Sequence, residues 1–395
     1  MKLLILTLLL LANWGHAKST TNQQPLDSSG RTPSTLLELH KALIEHESIT
    51  GNEHGVGQWL ISYLKAQSYT VETQEVTPAS SFQQARLNVF AYVGKARETR
   101  TLITSHIDTV PPYWPYERKG DEIWGRGSVD AKASVATQIT AVQELLAAGE
   151  ISQGDVAMLF VVGEEVGGDG MRKANELGLK WETVIFGEPT ELKLATGHKG
   201  IVGFEIRAKG KAGHSGYPEL GRNANNMLIP ALYALQTLEL PWSEKYGNTT
   251  LNIGRMEGGV AANVIAEDAV ANIAVRIADG TPAAVEKIVL NAIRKTGQEL
   301  DIYVRPGYGP VHIDSDVEGK NCFSRILTTL TTMLGFDTIV VNYGTDIPNL
   351  VGDHKRYLYG AGSILVAHSD HEHLTVSDLE TAVRGYKKLI NHSLK

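Results

Sequence analysis

The chain of 395 residues carries a single cysteine, Cys322. An internal disulfide is therefore excluded, and so is a metal site built from clustered cysteines. Any cation bound here must be held by histidine, aspartate and glutamate. Long apolar runs are also scarce. Only Leu3 to Leu11 is nearly unbroken, and a run of about nine residues cannot cross a hydrocarbon layer of roughly 30 Å as a helix. No later segment is apolar for long enough to act as an anchor. Positive charge is in deficit: 37 Lys and Arg stand against 44 Asp and Glu, a formal net charge of −7, with no basic stripe. Nucleic acid and anionic membrane surfaces are thus not expected as partners. Internal repeats are absent.

The one apolar run lies in the order of an export signal. Lys2 precedes it, and the small residues of Gly15-His16-Ala17 follow it. We read residues 1–17 as a signal peptide cut after Ala17, and the Ser/Thr/Gln/Pro-rich stretch 18–33 as a flexible arm. Asn248-Thr249-Thr250 and Asn391-His392-Ser393 are glycosylation sequons that suit the secretory route. A soluble, secreted product is expected.

Helical periodicity begins at Ser34, a suitable N-cap, and a second helix follows over Glu53–Gln67. Short β-rich runs then alternate with helices: Leu87–Val93, Thr101–Ser105, helix Ala131–Ala148, Val156–Val162 and Thr183–Phe186. That alternation predicts an α/β fold with a mostly parallel, doubly wound sheet and helices on both faces. From Ile201 the order becomes strand Ile201–Ala208, helix Asn223–Leu238, strands Thr250–Met256 and Asp268–Ile277, helix Ala283–Thr296, and strand Asp301–Val304. This β-α-β-β-α-β order is ferredoxin-like α+β. The first pattern then resumes with helix Cys322–Leu334, strands Thr338–Val341 and Ser363–Ala367, and helix Val376–His392. A main domain over 34–197 and 305–395, interrupted by an inserted domain over 198–304, accounts for the whole.

Acidic and histidine residues recur just past the predicted strands. In His106-Ile107-Asp108 the alternation of side chains puts His106 and Asp108 on one side. There a carboxylate can accept the second ring N–H of a metal-bound imidazole. Asp130 opens a helix, where Asp is also an ordinary N-cap. Glu164-Glu165 is a repelling pair in a glycine-rich turn, which two solvated loop acids would also explain. Glu188-Pro189 and His368 each follow an apolar run. Taken singly, each has a plain explanation. Together they are two histidines and three carboxylates, enough for two borderline cations such as zinc with one shared acid, and Glu164 is left over as a base.

With these residues in place, the ordered motifs SHIDTVP, GRGSVDAK, GEEVGG, FGEPT, GHSGYP and GAGSILVAHSDHE resemble a known family. It is the zinc amidohydrolase and peptidase family of acetylornithine deacetylase, succinyl-diaminopimelate desuccinylase, aminoacylase and glutamate carboxypeptidase. YGTDIPN, HKRYLYG and the export signal resemble its secreted fungal carboxypeptidases. The resemblance implies a catalytic main domain and an inserted lid or dimerisation domain. It implies two Zn2+ per subunit, one held by His106 and Glu188, the other by Glu165 and His368, with Asp130 bridging. Asp108 would orient His106, Glu164 would be the general base, and the peptide after Asp130 would be cis. In the lid, His214 would reach the substrate carbonyl, from the partner subunit in dimeric members. Asn263 and Arg276 would surround the substrate, Arg276 as a carboxylate clamp, and Gly344 and Thr345 would line its other side. His198-Lys199 stands where some relatives carry arginine, and His371 and His373 are alternatives to His368.

The activity so implied is a secreted metallopeptidase of carboxypeptidase type, cutting an amide bond beside a free carboxylate. Its substrate is a peptide or, in the alternative of an N-acyl-amino-acid deacylase, an N-acyl amino acid. Export favours the peptidase, since a secreted enzyme meets peptides in its surroundings. A catalytically inactive binding protein on the same fold would have lost the base or a ligand, and all are present.

Overall fold

The computed structural model describes residues 32–76, 84–317 and 335–395. The signal peptide, nearly all of the arm and the expected helix Cys322–Leu334 lie outside the described residues. Among the described residues no helix is long and apolar enough to cross a membrane.

The first helix, Leu36–Glu45, starts from a reciprocal cap. Glu38 N–H donates to the Thr35 hydroxyl, and Thr35 N–H donates to the Glu38 carboxylate. The cap is thus Thr35, one residue later than expected, with Ser34 N–H also reaching Glu38. The second helix, His54–Ala66, lies close to its expected span.

The main sheet has six strands in the spatial order Tyr69–Val76, Arg86–Val93, Val156–Val161, Thr101–His106, Thr183–Gly187 and Lys355–Tyr359. Its first two junctions are antiparallel and the remaining three parallel. The strand Tyr69–Val76 was not anticipated, because its Thr, Glu and Gln residues belong to an edge with one side toward solvent. Side-chain parity divides the core. Val89, Ala91, Met158, Phe160 and Ile185 pack under the helices Leu36–Glu45, His54–Ala66, Lys132–Ala147 and Val376–Ser393. Phe90, Tyr92, Leu159 and Val184 face the other way. Helices on both faces were expected. Among the described residues the second face is instead covered by the short helix Asp169–Ala174 and by a sheet of Leu194–His198, Val311–His312 and Thr338–Val341.

The central Thr101–His106 strand has Val156–Val161 on one side and Thr183–Gly187 on the other. Loops leaving their ends therefore diverge, opening a crevice at the carboxyl edge of the sheet. Ser363–Ala367, expected as a strand, is irregular apart from one bridge of Ser363 to Thr190, and Leu365 is 81 % exposed. Gly360 to Gly362 turn the chain out of the sheet after Lys355–Tyr359, the strand that does pair. Local apolarity alone misled there.

The inserted unit is an antiparallel sheet in the order Thr250–Gly258, Asp268–Ile277, Gly200–Lys209, Asp301–Tyr308. Helices Ala224–Gln236 and Pro282–Arg294 cover one face. Val202, Phe204 and Ile206 meet Leu228, Leu232, Val285 and Val289 in a core of its own. The last strand runs four residues beyond the expected Val304, to Tyr308.

Candidate metal centre and substrate cleft

His106 ends its strand and is buried. Its Nε2 lies 3.1 Å from Asp130 Oδ1 and 3.8 Å from Glu188 Oε1. Its Nδ1 is 3.0 Å from the carbonyl oxygen of Asp108 and 3.4 Å from that residue's Oδ1. With the proton on Nδ1 directed to Asp108, the Nε2 lone pair points into the cluster, as a metal-binding imidazole requires. The Asp108 carboxylate does more than orient this ring. It accepts from the Thr50 hydroxyl at 2.7 Å and from Glu164 N–H and Glu165 N–H at 3.0 and 3.2 Å. One buried carboxylate therefore braces both the histidine and the turn carrying the two glutamates.

Asp130 precedes the helix Lys132–Ala147, whose N-cap position is Ala131 and has no side-chain cap bond. The plain explanation of Asp130 as a helix cap thus fails. The Asp130–Ala131 peptide is cis, as the resemblance implies. Asp130 divides its two oxygens: Oδ1 faces His106, and Oδ2 lies 3.3 Å from His368 Nε2. Glu372 holds the loop in place. Its Oε1 accepts from Val129 N–H and Asp130 N–H at 3.0 and 3.1 Å, and its Oε2 takes Arg126 Nη1 at 2.6 Å. Neither Glu372 nor Arg126 drew notice in the sequence, since only their three-dimensional partners reveal them.

Across the cleft, His368 Nε2 is 3.1 Å from Glu165 Oε2. His368 is exposed and adopts a left-handed backbone, φ 61°, which a non-glycine residue adopts at a local cost. The neighbouring histidines turn away. His371 Nδ1 pairs with Asp370, and the His373 ring stacks on Trp124 at 4.3 Å. Two triads result, His106–Asp130–Glu188 and Asp130–Glu165–His368, each with ligand atoms within 4.8 Å of one another.

This donor set fits cations. Ligand bonds of about 2.0–2.2 Å span such separations. Among the described residues, no Lys or Arg pairs with Asp130, Glu165 or Glu188. The electrostatics register that deficit. Burial pushes Glu188 up to about 8 and also raises Glu165. His368 is raised to about 10 by its bonds to Asp130 and Glu165. Burial opposes charge on His106, yet Asp108, Asp130 and Glu188 together hold it well above the ordinary value. Glu164, outside both triads, is pushed well above the carboxylate range, first by withdrawal from water and then by the charge of Glu188.

The other residues singled out in the sequence lie elsewhere. His214 and Asn263 sit exposed on the small lid ribbon Gly213–His214 and Val264–Ile265, with no contact to the triads. Gly216 N–H donates to His214 Nδ1 at 3.0 Å, which leaves the ring proton on Nε2 as a free donor. Arg276 is half-buried at the end of its strand, and no carboxylate lies within ion-pair distance among the described residues. A Cβ built on Gly344 would stand 3.3 Å from Arg276 Nη1 and 2.3 Å from the Tyr308 hydroxyl. Thr345 is buried, and its hydroxyl is 3.1 Å from His198 Nε2 while it accepts from Ile347 N–H. His198 Nδ1 lies 2.8 Å from the carbonyl of Lys199. Burial drives this imidazole down to about 4, so it is neutral and takes the Thr345 proton. The Thr345 side chain is thus engaged by His198 and Ile347.

Residues 102–392 match the profile described as peptidase family M20/M25/M40. A probable carboxypeptidase of Aspergillus oryzae is 47% identical over 398 residues, covering 92% of this chain and 88% of that protein. A peptidase M20 domain-containing protein of Sordaria macrospora is 45% identical, covering 95% and 89%. Among solved structures, an M20 family metallo-carboxypeptidase from Sulfolobus solfataricus superimposes with a TM-score of 0.70 at 19% identity, covering 92% of this chain and all of that one. A tripeptidase from Staphylococcus aureus gives 0.70 at 21% identity, with 91% and 98% covered. With a catalytic-type sheet, an inserted lid and a profile match over most of its length, the chain belongs to the M20/M25/M40 peptidase family.

Proposed function

We propose that this chain is an exported carboxypeptidase that holds two zinc ions and cuts the peptide bond next to a free terminal carboxylate. The observation that carries the reading is the division of Asp130, one oxygen toward each histidine, with a further carboxylate completing each triad. His106 and Glu188 would hold one ion, Glu165 and His368 the other. Bound there, zinc lowers the pKa of water toward neutrality and polarises an amide carbonyl. Glu164, the acid left outside both triads, takes at its carboxylate the proton of the attacking water and delivers it to the leaving nitrogen. Its raised affinity for protons suits that exchange. His214, with its proton on Nε2, donates to the amide oxygen as charge develops, an effect typically worth about 3–4 kcal/mol per donor. Arg276, a half-buried cation without a carboxylate partner among the described residues, receives the terminal carboxylate.

Export is supported by the leader and by the two sequons, and the relatives named probable carboxypeptidases support the substrate class. A homodimer through the lid would bring a second subunit's lid to the cleft. Ile229 and Tyr233, one turn apart on the lid helix, are 55 % and 68 % exposed, and Met256 on the outermost strand is 56 % exposed. Such an apolar row beside an open sheet edge favours self-association.

Metal analysis of the purified protein, with assays on N-blocked dipeptides and N-acetyl amino acids, tests the reading. About two zinc ions per chain and release of the C-terminal amino acid are expected. Full activity without metal would sink it. Cleavage of N-acetyl amino acids alone would move the assignment to a deacylase.

A further inference from the structure

We propose that the Tyr308 hydroxyl is a second donor to the substrate's terminal carboxylate, acting beside Arg276 over Gly344. The inference rests on the carboxypeptidase reading and deepens it, since Tyr308 belongs to none of the motifs from which that reading began.

The placement follows from strand register. Ile201 pairs with Arg276 on one side and with Tyr308 on the other. Residues directly opposite in antiparallel strands project from the same face, so Arg276, Ile201 and Tyr308 form one transverse row. That face is the one turned away from the lid helices, because the alternate residues Val202 and Val275 are buried in the lid core. Tyr308 reaches it only through an irregularity. Arg305 pairs with Gly203 and Tyr308 with Ile201, so the outer strand carries one extra residue there. A bulge of this kind re-aims every side chain beyond it. Gly307 makes it possible, since a Cβ on it would fall 1.7 Å from the Ile201 carbonyl oxygen. Without the bulge, Tyr308 would point into the helix-covered face.

The hydroxyl is set as a donor. The backbone of Thr345 borders the Tyr308 hydroxyl. Burial, and then the nearby Glu164 charge, keep the phenol protonated. Thr345 is in turn fixed by His198, whose ring meets Tyr308 edge-on at 5.8 Å. The Gly344 side of the cleft lacks a side chain, and the point where one would begin lies 2.3 Å from the hydroxyl and 3.3 Å from Arg276 Nη1. The hydroxyl fills the space a Cβ would need, so it and the Arg276 guanidinium converge on the glycine, and a carboxylate received by Arg276 meets a cation and a neutral donor together, which distinguishes a free acid from an amide.

The test compares the full-length zinc-loaded enzyme with Tyr308→Phe and Gly344→Ala. Each is assayed on an N-blocked dipeptide and on its C-terminal carboxamide. Each is also titrated calorimetrically with the reduced-amide analogues of both compounds, in which CH2–NH replaces the scissile amide. The wild type is expected to prefer acid over amide, and Tyr308→Phe to lower that preference about tenfold while metal content matches wild type. Gly344→Ala, whose Cβ would push the Tyr308 hydroxyl away from its place beside Arg276, should lower it at least as far. An undiminished preference in a metal-replete Tyr308→Phe overturns the proposal. If that variant loses metal or fold, Gly344→Ala decides, and an undiminished preference there overturns it equally. Should the wild type cleave neither compound yet bind the acid preferentially through Tyr308, the clamp stands and the carboxypeptidase reading falls. A wild type that binds acid and amide alike overturns the clamp.

Discussion

The cluster at the carboxyl edge of the main sheet and the tip of the lid are built on opposite plans. His106, Asp108, Asp130 and Glu188 are buried, and each is braced by strand ends, main-chain N–H groups or a second carboxylate. His214 and Asn263 are exposed on a ribbon of two-residue strands, and the one bond that matters fixes a tautomer rather than a position. The proposed cation site would have to exist before substrate arrives, so its ligands would be held at the cost of burying charge. A group needed only as charge develops can be delivered by motion. The contrast teaches that substitutions in the first region should alter what is bound, and those in the second only what is turned over.

The sharpest way to break this contrast lies inside the first region. Glu164→Gln should retain both metals yet lose turnover by roughly 10²–10⁴-fold, because it removes proton transfer and no ligand. Glu165→Ala should instead lose metal from the site it shares with His368. Metal counting beside kcat on the two variants decides between them, and the reverse pattern exchanges their roles.

Next in size is the lid. His214→Ala is expected to lower kcat by roughly 10²–10³-fold with little change in KM and none in metal content. Recovery of activity on mixing this variant with Glu164→Gln would show delivery from a partner subunit. An unaltered kcat in His214→Ala removes the residue from the mechanism.

The smallest effect concerns Glu372, which touches no substrate. Glu372→Gln keeps an oxygen for the N–H groups of Val129 and Asp130 but leaves Arg126 without its charge partner. Metal affinity, measured by competition with a chelator, should fall by about 10–100-fold, with the acid-over-amide preference unchanged. Affinity equal to wild type would reduce Glu372 to a packing role.

Much of this was legible in the sequence, for physical reasons that also explain the failures. Strand ends carry side chains to the edge of an α/β sheet, so His106, Glu165 and Glu188 could be read as neighbours before any coordinates. The inserted β-α-β-β-α-β unit was legible because its helix and strand periods are clean. Ser363–Ala367 misled because an apolar run does not state whether it is buried, and Leu365 is exposed. Tyr69–Val76 was overlooked because a polar edge strand resembles a loop. Tyr308 was out of reach, since its facing depends on one extra residue in a strand. The bond of the Thr345 hydroxyl to His198, a partner 147 residues away, was likewise out of reach of any local motif.

The clamp between Glu372 and the Asp130 loop would also order events during synthesis. Arg126 and Glu372 lie 246 residues apart in the chain, and the segment that carries Glu372 also carries His368. A ribosome-bound chain that has completed His106 and the loops bearing Glu165 and Glu188 still lacks His368 and the brace for Asp130. Long-range closures of this kind come late, because the loop entropy must be spent before any contact repays it. Uptake of metal at the proposed site would therefore be a late step, waiting on the C-terminal segment that carries both His368 and Glu372.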